Sequence, residues 1–124
     1  MGLNRITLIG RAAEPKVKEF ESGKVANFSF ATKETWKDRN GDWKEETTWH
    51  NIAAYGSLAG VVERYVRKGS LLYIEGKIRR RKYTDRDGVE REIVEVLASG
   101  IELLGDKPSQ NNASSSSTSN DMDF

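Results

Sequence analysis

One stretch breaks the pattern of an otherwise strand-like chain: "SLAGVVERYVRKG", residues 57–69. Leu58, Val61, Val62 and Tyr65 recur there at i, i+3, i+4 and i+7, which puts them on one face of an α-helix. Ser57 is an N-cap candidate, and Gly69 sits just past the end, where glycine commonly terminates a helix. A lone helix at a fixed place among strands excludes most β architectures, so its position decides the fold.

Three strand-like runs precede it. "LNRITLIG" is β-branched and apolar, and "VANFSFATKETW" sets Ala26, Phe28 and Phe30 on one face by period two. "KDRNGDWKEE" then carries an Asn40-Gly41 turn signal before "TTWHNIAAY", the third strand. After the helix come "LLYIEGKIRRRKYT" and "VEREIVEVLASGIELL", joined by the turn "DRDG". Three strands, one helix and two strands form the layout of the OB-fold, an all-β, five-stranded Greek-key barrel. In that fold the faces of strands two and three, with the loops joining strands one to two and four to five, hold oligonucleotides or oligosaccharides. The domain is expected over residues 1–105, ending near Leu104–Gly105. Residues 106–124 are rich in Ser and Asn, nearly free of apolar side chains before Met122 and Phe124, and read as a disordered tail.

Composition removes several function classes. Without cysteine and with His50 as the only histidine, a zinc site would have to be built from carboxylates, so no metal is expected. No Gly-rich phosphate loop and no Gly-x-Ser-x-Gly elbow is present, and neither a cofactor nor an enzymatic activity is expected. Asp38-x-Asn40-Gly41-Asp42 and Asp85-x-Asp87-Gly88 resemble calcium loops only in part; both lack the full spacing and sit where a hairpin must turn. With no signal peptide and no run near the roughly 18 apolar residues of a membrane helix, a soluble cytoplasmic protein is the expectation. The net charge of +1 hides an asymmetry: 19 Lys/Arg face 16 Asp/Glu in residues 1–105, against 1 and 3 in the tail.

The basic body has a focus. "GKIRRRKYTD" holds five cations between Lys77 and Lys82 and runs into Tyr83. Leu72, Ile74 and Ile78, spaced by Gly76, fit a barrel interior, while Tyr73, Glu75, Lys77, Arg79, Arg81 and Tyr83 face out. Arg80 and Lys82 charge the other face too, so this hairpin is expected to project past the barrel. Glu90, Glu92 and Glu95 on the return strand offer ion-pair partners, and a merely solvated hairpin is the competing reading. Aromatic placement favours a binding surface. Trp49 and Tyr55 share the face of their strand opposite His50 and Ile52, Trp36 lies amid Lys33, Lys37 and Arg39, and Tyr83 ends the basic arm. Rings among cations are what single-stranded nucleic acid needs, since bases stack on rings while Lys and Arg follow phosphates. Phe28, Phe30 and Phe20 are assigned to the core; Trp43, beside the Asn40-Gly41 turn, fits either role.

The motifs "LNRITLIGRA", "VANFSFATKETW", "TTWHNIAAYG", "ERYVRKGSLLYIEGKIRRRKYTDRDG" and "DMDF" together resemble the bacterial-type single-stranded DNA-binding protein family, which acts in replication, repair and recombination. The resemblance spans nearly the whole domain. It implies DNA stacking on Trp36, Trp49, Tyr55 and Tyr83, phosphate contacts from Arg5, Arg11, Lys33, Lys37, Lys77, Arg79 and Arg81, and a homotetramer with His50 at a subunit contact. It also implies a nucleoid or replication-fork location and recruitment of replication and repair proteins by a C-terminal tip, here Asp121, Met122, Asp123 and Phe124. The tip departs from the family's run of aspartates before Ile-Pro-Phe, having Met122 between two aspartates and no proline. An RNA-binding OB module would use the same rings and charges, and a protein-docking module would bind DNA weakly and indifferently to Trp49.

Overall fold

The computed structural model describes residues 1–105. The tail, with its expected disorder and the tip residues Asp121, Met122, Asp123 and Phe124, lies outside them. Six strand segments and one helix follow in order: β1 (Ile6–Ala12), β2 (Lys16–Phe20), β3 (Gly23–Lys37), β4 (Trp43–Tyr55), α1 (Ser57–Tyr65), β5 (Leu71–Thr84) and β6 (Glu90–Leu103). The first strand thus runs past the expected residues 3–10 and continues after a break in a second piece, β2, that the sequence reading did not foresee. Both pieces pair antiparallel along β3, β1 through Ala12↔Phe30 and β2 from Lys16↔Asn27 to Phe20↔Gly23. Pro15, which has no N–H to give a ladder, stands in the gap.

The sheet closes on itself. Its order is β1-β5-β6-β4-β3-β2, and β1 also pairs with β3. β4 and β6 meet in parallel at Ile52↔Val96 and Ala53↔Leu97, and every other pairing is antiparallel. This is the five-stranded Greek-key OB barrel with one helix. The period-two face of β3 fills it: Ala26, Phe28 and Phe30 are buried with Ile52, Ala54, Leu72, Ile74 and Val96. Phe28 and Phe30 meet edge to face, centroids 6.3 Å apart and planes at 78°. At two places the strands run too close for a side chain. A Cβ on Gly10 would overlap the Ala31 carbonyl where β1 passes from β5 to β3, and one on Gly76 would overlap that of Leu97. Glycine is required at both to close the barrel.

Four local expectations are corrected. Ser57 does not cap α1; Gly56 occupies the N-cap at φ 64°, ψ −131°, and no side chain caps the helix. The chain reverses sharply from β4 into α1, a left-handed conformation suited to glycine, so Ser57 is already helical. The helix then ends at Tyr65, with Val66 extended at φ −91°, ψ 130°. Its buried residues are Ala59, Gly60 and Val62, with Val66 buried just beyond the end, whereas Tyr65 is exposed beneath the Arg64 guanidinium. Phe20 is 54% exposed, because Val17 turns inward on β2 and leaves Lys16, Lys18 and Phe20 outward. Ile78 is also exposed: beyond Gly76, where the β5–β6 register slips past Ser99, β5 has left the barrel.

Candidate nucleic-acid interface

Two antiparallel ribbons extend from the barrel. Beyond Thr32↔Thr48, β3 and β4 pair to Lys37↔Trp43; beyond Lys77↔Leu97, β5 and β6 pair to Thr84↔Glu90. Their turns are built alike. The Asp38 carboxylate accepts from the backbone N–H groups of Asn40 and Asp42, and Asp85 accepts from Asp87 and Val89, all at 2.9 Å. Gly41 and Gly88, at φ 85° and 79°, supply the left-handed step after each turn. The two motifs that partly resemble calcium loops therefore use their leading carboxylate to close a hairpin. Asp38 and Asp85 also pair with Lys44 at 3.7 Å and Arg91 at 2.7 Å.

The register sorts the rings. Paired residues share a face, so Ala31↔Trp49 and Val25↔Tyr55 set both rings on the outer face of the sheet. Trp43, paired with Lys37, lies on that same face. Trp36 pairs with Lys44 and belongs to the opposite face, the outward continuation of the barrel interior. Lys33 and Lys37 consequently share a face with Trp43, not with Trp36, and Lys37 lies directly opposite it. On β5, Lys77, Arg79, Arg81 and Tyr83 share one face. All four rings assigned to stacking are exposed, Trp49 by 63%.

The cations fall into different settings. Arg11 stands in one lateral row with Ala31 and Trp49, and it donates to the Gly69 carbonyl at 2.9 Å. Arg5 lies at the far end of β1, where it pairs with Glu75. Lys33 meets Glu45 at 3.2 Å, and Lys37 Nζ lies 5.5 Å from the Trp43 ring centroid. Among the described residues, Lys77 has no ion-pair partner. Arg79 donates from Nε to Glu95 at 2.9 Å and from Nη2 to the Tyr55 hydroxyl at 3.0 Å, its guanidinium 5.5 Å from the Tyr55 ring centre. Arg81 reaches the same Glu95 at 3.4 Å, and Arg80 pairs with Glu92 at 3.4 Å. The arm's ion-paired reading therefore holds for its three arginines. Even so, seven cations face five carboxylates over residues 77–95, whereas the first ribbon carries four against five over 33–46. Positive charge is concentrated on the second ribbon.

Glu95 was foreseen only as a cross-strand partner, yet it organises this cluster. It is 3% exposed although it lies on the outer face. Burial alone pushes its carboxyl up, but hydrogen bonds and charge from Arg79 and Arg81 outweigh this and hold it below the usual glutamate range. A depressed folded-state value stabilises the fold above the unfolded-state value, and that contribution is lost as pH falls through the folded one. Glu95→Gln is expected to destabilise the domain by about 1.5 kcal/mol at pH 7, the low end for hydrogen bonds to charged groups because both guanidinium groups stay partly hydrated. Urea midpoints measured from pH 7 to pH 3 should converge for the two proteins.

His50 lies on the opposite face from Trp49, half-buried, and shares a hydrogen bond with Thr32 Oγ1 at 2.9 Å. Burial lowers its pKa, which keeps it neutral at pH 7. Another residue the sequence reading missed is Asn4, whose side chain donates to the Ile78 carbonyl at 2.7 Å and accepts from the Ile78 N–H at 3.0 Å. It acts as a further rung beside β1 where β5 leaves the barrel.

Fold and surface thus define a class: a Greek-key OB barrel carrying two ribbons with exposed rings and a basic arm. Residues 3–104 match the single-strand binding protein family. Single-stranded DNA-binding proteins of Neisseria meningitidis serogroup A and serogroup B strains are each 47% identical over 107 residues, covering 85% of this chain and 62% of theirs. The chain therefore spans less than two thirds of the length of these relatives. A solved Plasmodium falciparum SSB complex with ssDNA superposes with a TM-score of 0.73 at 36% identity, covering 84% of this chain and 96% of that one. The chain belongs to the single-strand binding protein family.

Proposed function

We propose that this protein binds single-stranded DNA without regard to sequence and protects it during replication, repair and recombination. The observation that carries the reading is the set of exposed rings, Trp49 and Tyr55 on the outer face of the barrel, Tyr83 on the basic arm and Trp36 on the reverse face of the first ribbon, beside an excess of positive charge on that arm. Bases stack on rings of any neighbour because every base has a π-face, and Lys and Arg neutralise phosphates. Arg11 and Lys77 are the cations best disposed for phosphate. Lys33 exchanges its weak, exposed partner Glu45 for it, and Lys37 is held only by its contact with the Trp43 ring. Arg79 and Arg81 act while paired with the buried Glu95, and Arg5 contributes at the barrel end. The relatives' names and the solved complex with ssDNA support the DNA reading.

Tryptophan emission tests it. Titration with oligo(dT) is expected to quench deeply and duplex DNA little, and log affinity should fall with log salt by about 0.7 per phosphate contacted. Equal or stronger quenching by oligo(U) would favour an RNA module, and no quenching at low salt would leave a protein-docking module.

The same proposal includes a homotetramer with His50 at a subunit contact, supported by apolar Ile9, Ile78 and Val94 left exposed on the single chain. Light scattering on the 14.0 kDa chain reads the assembly directly. It also includes recruitment of replication and repair proteins in the cytoplasm, at the replication fork, through Asp121, Met122, Asp123 and Phe124. That part rests on the sequence of the segment, and loss of partner capture on deleting the four residues tests it.

A further inference from the structure

We infer that Trp43 is an additional base-stacking position, one that carries a bound strand out along the face of the first ribbon beyond Trp49. The inference rests on the proposed single-strand binding. Trp43 is 70% exposed, the most exposed tryptophan of the chain, and stands at the last pair of the β3–β4 ladder. It lies on the same outer face as Trp49, six residues away and so roughly 20 Å along the strand. Between them on that face lie the pairs Lys33↔Thr47 and Thr35↔Glu45, and Lys37 pairs directly with Trp43. The Lys37 ammonium lies 5.5 Å from the centre of one ring face, which leaves the rest of this exposed ring open to a base. Lys33 is held only by Glu45, in a pair more than half exposed on both sides; such pairs contribute little and exchange readily with phosphate.

Charge decides what kind of contact this ribbon makes. With four cations against five carboxylates over residues 33–46, it cannot attract a polyanion by net charge. Whatever it contributes to holding a strand comes from ring stacking, with Lys33 and Lys37 adjusting locally. Removing Trp43 should therefore weaken binding equally at all salt concentrations.

Two proteins test the inference, both full-length. In the first, Trp36 and Trp49 become phenylalanine, so rings remain at both positions and Trp43 is the sole tryptophan. Oligo(dT) is expected to quench its emission. The second is Trp43→Ala, measured by anisotropy of labelled oligo(dT) long enough to span both ribbons. It should bind roughly 5- to 150-fold more weakly than the parent, with an unchanged log–log salt slope. Trp43→Phe should restore most of the affinity. If the parent binds the labelled strand while Trp43 emission stays constant and Trp43→Ala binds equally well, the inference is overturned and the proposed function stands. If the parent itself fails to bind at low salt, both fall. A loss in Trp43→Ala that comes with a flattened salt slope would also overturn it, because the ring would then be acting through its lysines.

Discussion

Replacing Phe30 by alanine is expected to lower the stability of the domain by about 3–5 kcal/mol, the range for deleting a buried phenylalanine ring. Phe30 has no exposed surface and sits at the seam where the barrel closes, paired with Ala12 on β1 and with His50 on β4. Its neighbours cannot collapse into the space. The Phe28 ring already stands edge-on to it, and Gly10 has no side chain to move. A melting temperature lower by roughly 15–30 °C is the expected reading for a domain of this size. Phe30→Leu, which leaves a smaller void, should lose less than half as much. A shift within about 3 °C for Phe30→Ala would mean that the barrel closes elsewhere.

Trp49→Ala should do the reverse, sparing the fold and costing binding. The ring is mostly exposed on the outer face, in one row with Ala31 and Arg11, so its removal opens no cavity. Stability is expected to stay within about 0.5 kcal/mol, as for ordinary surface substitutions. Under the proposed function, one stacked base is worth about 1–3 kcal/mol, which makes affinity for oligo(dT) roughly 5- to 150-fold weaker. Anisotropy titration beside a thermal melt checks both halves. Unchanged affinity would remove Trp49 from the binding surface and favour the protein-docking reading.

Much of the site was present in the sequence as parity. Trp43, Trp49 and Tyr55 are odd-numbered residues of one strand, which suffices to group them on a face. Trp36 could not be assigned relative to them until the turn register was known. With Lys37 opposite Trp43, even positions of β3 face even positions of β4, and Trp36 falls on the reverse side from Lys33 and Lys37. Proximity in sequence had suggested the opposite grouping, because neighbours in a strand point to opposite faces. Glu95 shows a different limit. Nothing local distinguishes it from Glu90 or Glu92; only Arg79, Arg81 and the strand beside it take it out of water.

The sequence by itself determined the place of the helix between three main strands and two, the period-two core of Ala26, Phe28 and Phe30, both glycine turns and the basic arm, because each follows from spacing and backbone preference within a short stretch. Tertiary structure decided the rest. The break of the first strand at Pro15, the N-cap at Gly56, the exposure of Phe20 and Ile78, the buried carboxylate shared by two arginines and the face on which Trp36 stands all depend on which strands become neighbours. Neighbour identity and register in a closed barrel come from pairings between residues far apart in the chain, and local periodicity carries no record of those.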